Sequence, residues 1–186
     1  MTLQFSLGTN APETVDSACI MVGVYEHGVL SSAAERVDRA TGGLIRRQQE
    51  SGDISGKAGS SSVLFAPSGV GAKRVLVIGL GVQKSFDGAR FQKVNHEAAR
   101  ALGRLPVTDA VSYLTEVEVP GRDAGWRLRV AALASDFAAY TRDHARAERI
   151  AAACGVDVVF APAADELFPT GFATWIRSEA RRVGKE

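Results

Sequence analysis

The sequence predicts an α/β fold in which a mixed sheet is flanked by helices on both faces. Two runs of strand length, Ala18–Tyr25 and Arg74–Leu80, are almost entirely apolar, which is typical of strands covered on both sides. Segments with apolar residues at helical spacing follow each of them, beginning at Ser32 and at Asp87. Because strands and helices alternate along the chain, a layered α/β architecture is favoured over separate all-α or all-β units.

The first third of the chain contains a short strand candidate, the first apolar strand and one long helix. Leu3–Leu7 alternates apolar and polar residues, a weak strand signal. Ser32–Glu35 has the pattern of a capping box, and the helix that it opens is expected to stop at Gly52. That helix carries its apolar residues at Val37, Ala40, Leu44 and Ile45. The segment Gly52–Ser62, rich in Gly and Ser, is expected to be an exposed loop.

The middle of the chain predicts a strand pair, a helix and a further strand. Ser62–Ala66 and Arg74–Leu80 are strand-like and are separated by a Pro-Ser-Gly turn. Asp87 can cap a helix, and Ala110–Leu114 reads as another short strand. The helix after Asp87 places one apolar face at Phe91, Val94, Ala98, Ala101 and Leu102.

The last third predicts a long helix and a final strand. Asp123 can cap a helix of about 30 residues, because no Gly or Pro interrupts Trp126–Cys154 and Gly155 follows. Its buried stripe is expected at Trp126, Val130, Leu133 and Phe137. Asp157–Ala161 is the last strand candidate.

Composition excludes several classes of function. The 186 residues carry a formal net charge of +1, so there is no global electrostatic reason to expect nucleic acid, a membrane or acidic substrates. The two cysteines, Cys19 and Cys154, form no disulfide framework and suit a reducing compartment. No signal peptide is recognisable and no apolar run could span a bilayer, so a cytoplasmic location is expected.

A glycine pair offers the one candidate ligand site. Gly79 and Gly81 end an apolar strand, as in a dinucleotide fingerprint, but Lys84 stands where a third glycine is needed. The backbone there could cradle a phosphate, and a plain tight turn is the favoured alternative.

No catalytic, cofactor-binding or metal-ligating residue is predicted. His27, His96 and His144 are isolated from one another and from any metal-binding spacing, and no nucleophile elbow is present. Four arginines in the first predicted helix could form a basic stripe for nucleic acid: Arg36, Arg39, Arg46 and Arg47. Acidic residues are interleaved with them, which favours a solvated helix face instead.

Taken in order, several segments resemble the amino-terminal domain of the leucyl aminopeptidase (cytosol aminopeptidase) family. The resembling segments cover about residues 1–140 and are Ala18–Asp38, Gly52–Gly81, Phe86–Leu102 and Val111–Tyr140, the last with its "GRD…W" stretch. The resemblance implies a macro-domain-like topology, a carboxy-terminal catalytic domain beside it and a hexamer. It also implies two divalent metal ions, zinc or manganese, bound by an "NTDAEGR" segment and nearby motifs, none of which occurs in this sequence.

The end of the chain departs from that family. Residues 141–176 resemble a pantothenate synthetase segment, on the strength of Gly155–Thr174, although Val159–Pro162 could instead supply the strand that the aminopeptidase domain places there. Residues 177–186, Arg177–Glu186, resemble a translated sequencing adapter. The sequence therefore predicts a fragment or chimera with three parts, 1–140, 141–176 and 177–186.

Three functions follow as hypotheses. The first is a non-catalytic structural and oligomerisation domain of a leucyl aminopeptidase, whose parent releases amino-terminal residues from peptides. The second is a macro-like module that binds a nucleotide or ADP-ribose at Gly79–Gly81. The third is a pantothenate synthetase fragment. DNA binding, known in some bacterial relatives, has only the arginine stripe in its favour.

Overall fold

The computed structural model describes residues 4–136 and 138. The strands are β1 (Ile20–Tyr25), β2 (Ser61–Phe65), β3 (Arg74–Gly81) and β4 (Val111–Ser112). The helices are α1 (Ser32–Ala40), α2 (Leu44–Glu50), α3 (Gly88–Leu102) and α4 (residues 124–136). Short 3-10 turns follow three of the strands, at Glu26–Gly28, Gln83–Ser85 and Leu114–Glu116.

The four strands form one mixed sheet in the order β2-β3-β1-β4. β1 runs parallel to both β3 and β4, with Ile20 opposite Val75 on one side and Val111 on the other. β2 is antiparallel to β3. The predicted α/β class with a mixed sheet is confirmed, and β4 is shorter than the expected Ala110–Leu114.

Alternate residues of β1 and β3 face two separate cores. Val75 and Val77 of β3 pack with α1 and α2 through Val37 and Ile45. Leu76, Ile78 and Leu80 pack on the other face against α3, through Phe91, Val94 and Ala98. Burying each Val, Leu or Ile side chain contributes about 1.5–3 kcal/mol. The apolar runs are continuous because both faces of these strands are covered, and helices on both faces are confirmed.

The helix predicted to run from Ser32 to Gly52 is broken in the middle, so that prediction is wrong. α1 ends at Ala40, and Gly42 and Gly43 adopt φ values of 65° and 83°, which only glycine adopts without strain. The N-cap is also one residue earlier than expected: the Ser31 hydroxyl accepts a hydrogen bond from the Ala34 amide at 3.3 Å. Apolar residues keep their helical spacing on both sides of the break because α1 and α2 pack on the same core.

The strand predicted at Leu3–Leu7 is also wrong for its described part. Residues 4–10 have no regular secondary structure, and Phe5 and Leu7 are 58% and 81% exposed. Alternation alone did not make a strand, because this segment pairs with none of the described strands.

The two later helices begin where the sequence predicts. The Asp87 carboxylate accepts from the Arg90 amide at 2.9 Å, and the Asp123 carboxylate accepts from the Trp126 amide at 2.7 Å. Trp126 and Val130 of α4 pack on the α3 core, but Leu133 is 44% exposed, so the predicted stripe is wrong at that position. Among the described residues no helix is both long and apolar enough to cross a bilayer.

Several predictions concern parts of the chain outside the described residues. These are Phe137, the helix continuing to Cys154, His144, Asp157–Ala161, Gly155–Thr174 and Arg177–Glu186.

Candidate functional site

The glycine pair lies inside strand β3 and is covered by the preceding loop. The Gly79 amide donates to the Ser60 carbonyl at 2.8 Å, and the Gly79 carbonyl accepts from the Gly59 amide at 2.9 Å. The Gly81 amide donates to the Gly56 carbonyl at 2.7 Å. Both glycine amides are therefore satisfied within the chain and neither is available to a phosphate.

The loop also occupies the space over the pair. A methyl group on Gly79 would lie 2.1 Å from the Lys57 carbonyl oxygen and 2.3 Å from the Ser60 hydroxyl. Lys84, in the position of the missing third glycine, is exposed in the 3-10 turn that follows. The segment is thus neither the predicted tight turn nor a phosphate cradle, because backbone from residues 56–60 fills the place of a ligand.

The predicted arginine stripe is divided by the break between α1 and α2. Arg36 pairs with Glu13 at 2.8 Å and Arg46 pairs with Asp38 at 3.1 Å, while Arg47 donates to the Gly42 carbonyl. Arg39 is exposed on α1. Because two of the four guanidiniums are held by carboxylates, the solvated-face interpretation is favoured over a nucleic-acid surface.

Among the described residues, His27, His96 and Cys19 belong to no group of side chains that could hold a metal ion. His27 is exposed after β1 and His96 is half-buried on α3. Within the described ranges no group of three or more His, Cys, Asp or Glu side chains could hold a metal ion. Cys19 is fully buried, and desolvation raises the pKa of its thiol to about 11, as expected for a thiol inside a core.

A cleft of about 420 Å³ opens at the carboxyl ends of β1 and β3; we call it the carboxyl-end cleft. Tyr25 ends β1, and Gln83 and Phe86 follow β3. The far wall comes from the segment after β4, with Glu118, Val119, Pro120, Arg122 and Arg127. Open α/β sheets bind their ligands at this edge, because loops from neighbouring parallel strands converge there.

Aromatic packing fixes the floor of the carboxyl-end cleft. The rings of Tyr25 and Phe86 meet edge to face with centroids 5.7 Å apart, and Phe86 contacts Phe91 in the same way at 6.4 Å. Tyr25 is 7% exposed. Burial raises the pKa of its phenol, and the nearby Glu118 carboxylate raises it further, so the hydroxyl stays protonated at neutral pH.

Two arginines stand on the opposite wall. The Arg122 guanidinium lies over the Trp126 ring, 4.9 Å from its centroid. Arg127 donates from Nη1 to the Val117 carbonyl at 2.9 Å, and its Nε is buried without a hydrogen-bond partner. Glu118 and Arg122 are both exposed, and neither forms an ion pair with another described residue.

The sequence did not predict this cleft. Tyr25 and Gln83 could have been found from the rule that sites form at the carboxyl ends of parallel strands. Glu118, Arg122 and Arg127 could not, since only the pairing of β4 with β1 brings their segment to that edge.

Comparison with known proteins identifies the family. Residues 21–149 match the model of the cytosol aminopeptidase family, N-terminal domain. The probable cytosol aminopeptidase of Xylella fastidiosa is 42% identical over 140 residues, which are 75% of this chain and 28% of that protein. The probable cytosol aminopeptidase of Xanthomonas campestris pv. campestris is 41% identical over the same length, again 75% of this chain and 28% of the relative. The chain thus spans little more than a quarter of the curated relatives that it matches.

Solved structures show the same fold at low sequence identity. The macrodomain of Mycobacterium tuberculosis DarG has a TM-score of 0.53 and 13% identity, covering 68% of this chain and 86% of that one. This likeness confirms the macro-domain-like topology and carries no information on ligands.

Proposed function

The chain belongs to the cytosol aminopeptidase family through its N-terminal domain, and on that premise we propose that it is a non-catalytic, structural part of such an enzyme. The observation that carries the proposal is the extent of the match, which covers 75% of this chain but only 28% of a full-length relative. Release of amino-terminal residues, and the two zinc or manganese ions that the family resemblance implies, are assigned to the remainder of such a protein.

The proposal includes two partners, the carboxy-terminal catalytic domain and further copies in a hexamer. The sheet edge supports an associating role: β2 is one of the two edge strands of the described sheet and contains no charged residue. Phe65 at its end is 71% exposed. Uncharged edge strands with exposed apolar side chains favour pairing with another chain. We place the assembled protein in the cytoplasm, following the names of its relatives.

The two other hypotheses are not favoured. A nucleotide or ADP-ribose at Gly79–Gly81 would need the backbone amides that the 56–60 loop already occupies. The pantothenate synthetase resemblance lies outside the described residues and stays a prediction.

Activity and association test the proposal separately. The purified chain, given leucine p-nitroanilide with manganese or zinc, should show no hydrolysis above buffer. Turnover that survives repurification would contradict a non-catalytic role.

Association is tested with the carboxy-terminal part of the Xylella relative, produced without its own N-terminal domain. We expect this part to co-elute with the chain in size-exclusion chromatography coupled to light scattering. Full separation of the two proteins at micromolar concentration would contradict the structural role.

A further inference from the structure

The carboxyl-end cleft presents opposite charges that do not neutralise each other. Glu118 and Arg122 line the same space, yet no ion pair joins them, and Arg127 has no carboxylate partner among the described residues. Both Glu118 and Arg122 are exposed, so each charge is hydrated and remains available to a ligand. A ligand with one cationic and one anionic end would satisfy both.

The Arg122 side chain is arranged so that its donors remain available. Its guanidinium lies over the Trp126 ring, and its N–H groups donate to none of the described residues. A guanidinium with free N–H groups can bind a carboxylate through two parallel hydrogen bonds. This side of the cleft therefore suits the anionic end of a ligand.

Tyr25 supplies a phenol hydroxyl to the cleft lining. The buried polar atom without a hydrogen-bond partner among the described residues of this lining is Nε of Arg127. A ligand that accepts from Arg127 would satisfy that atom. Because its phenol stays protonated at neutral pH, Tyr25 can donate to a ligand lying between Glu118 and the arginines.

Apart from Gln83, the remaining lining is apolar. Phe86 and Val119 are buried and Pro120 lies beside them on the cleft wall. Small-molecule sites combine such apolar walls with a few placed polar groups. This cleft could therefore cover an aliphatic side chain while its polar groups bind the charged ends.

We propose that the carboxyl-end cleft binds a small zwitterion with an apolar side chain, an α-amino acid or a dipeptide with free termini. Glu118 binds the ammonium group, Arg122 and Arg127 bind the carboxylate, and Tyr25 donates a hydrogen bond to the bound molecule. Binding of this ligand makes and breaks no covalent bond. The proposal does not depend on the structural role given above, because it concerns this chain's own residues.

Leucine is the first probe, with the 186-residue chain observed by amide NMR. Saturable shifts are expected at the amides of Tyr25, Gln83, Phe86 and Val119. N-acetylleucine lacks the ammonium group of leucine, and leucinamide lacks its carboxylate. Each compound should therefore bind about tenfold more weakly than leucine, which corresponds to about 1.4 kcal/mol of binding free energy. No saturable shift at tens of millimolar leucine, or equal affinity for all three compounds, would overturn the proposal.

Charge-neutral variants assign each end of the ligand. Glu118→Gln should weaken leucine about tenfold but leave N-acetylleucine unchanged, and Arg122→Gln should weaken leucine but leave leucinamide unchanged. The matched controls are Glu116→Gln and Arg129→Gln, at exposed positions outside the cleft lining. Both control variants should bind leucine with the affinity of the parent chain.

A third variant guards against loss of folding. Tyr25→Phe keeps the ring that packs on Phe86 and removes only the hydroxyl. It should weaken all three compounds by a similar factor while the amide spectrum away from the cleft is unchanged. Unaltered leucine affinity in both Tyr25→Phe and Glu118→Gln would show that leucine binds elsewhere and refute the assignment.

Discussion

Adding one methyl group at Gly79 should destabilise the fold strongly. In Gly79→Ala the new carbon would lie 2.1 Å from the Lys57 carbonyl oxygen and 2.3 Å from the Ser60 hydroxyl. The Lys57 oxygen belongs to the backbone, so rotation of a side chain cannot relieve this contact. Gly79 has no positive φ, so the effect is one of space and not of backbone conformation.

The size of the effect follows from the contacts that must yield. Overpacking of this kind costs about 1–3 kcal/mol. Moving the 56–60 loop away would also break the two hydrogen bonds between Gly79 and residues Gly59 and Ser60, each worth about 0.5–1.5 kcal/mol. The free energy of unfolding should therefore fall by about 2–6 kcal/mol, a large part of the 5–15 kcal/mol typical of a domain.

Urea unfolding followed by far-UV circular dichroism measures this loss. With a slope of about 2 kcal/mol per molar urea, the midpoint should fall by about 1–3 M. Gly8→Ala is the matched control, because nothing lies within 4 Å of the added methyl group and the midpoint should not change. Amide exchange gives a local check, since the protection of the Gly59 and Gly81 amides should fall more than that of β1.

An unchanged midpoint for Gly79→Ala would refute the packing of this loop on β3. The same result would reopen the space above Gly79 and Gly81 to a ligand.

Three further predictions concern other parts of the fold. Asp38→Ala should lower the free energy of unfolding by about 1–3 kcal/mol in urea titration, because the buried carboxylate accepts from both the amide and the Nε of Arg46. Hydrogen bonds from the Ser17 hydroxyl, the Ala18 amide and Thr108 lower the pKa of the Asp109 carboxyl. The contribution of Asp109 to folding stability is therefore fully present above the unfolded pKa of about 3.9 and is lost as pH falls through the lower folded pKa. Asp109→Asn should be less stable than the parent chain at pH 6 but equally stable at the acid end of a pH series. With Cys154→Ser as background, Cys19 should resist iodoacetamide at pH 8 until urea unfolds the chain, because the thiol is fully buried and burial raises its pKa to about 11.

Each of these has a result that would count against it. Glu35→Gln controls for the first: Glu35 lies 3.6 Å from the Arg46 guanidinium in an exposed pair and should change stability by less than about 0.5 kcal/mol. A loss in Asp38→Ala no larger than this would contradict the bridging role of Asp38. A stability difference for Asp109→Asn that persists at pH 2, or rapid labelling of Cys19 in the folded chain, would contradict the other two.

Local sequence signals predicted most of the elements that form the sheet and the α3 face. The apolar run of β3 and the Asp87 cap needed no knowledge of the rest of the chain, because a doubly covered strand and a capped helix are each encoded within a few residues. The family resemblance, carried by the order of several such segments, is likewise confirmed by the match to residues 21–149.

Helix boundaries and strand pairing were less predictable. The break at Gly42–Gly43 was missed because the apolar spacing continues across it, although a pair of adjacent glycines was a signal against an unbroken helix. The strand expected at Leu3–Leu7 failed for the opposite reason, since its pattern was present but its described residues pair with no described strand.

By itself the sequence determined which strands are apolar on both faces, where α3 and α4 begin and which family the chain belongs to. Only the tertiary structure decided the sites, because they are made by segments far apart in the chain. Packing of the 56–60 loop on Gly79 closed the predicted ligand position. Pairing of β4 with β1 brought Glu118 and Arg122 to the edge where Tyr25 ends its strand, and no local pattern encodes that meeting.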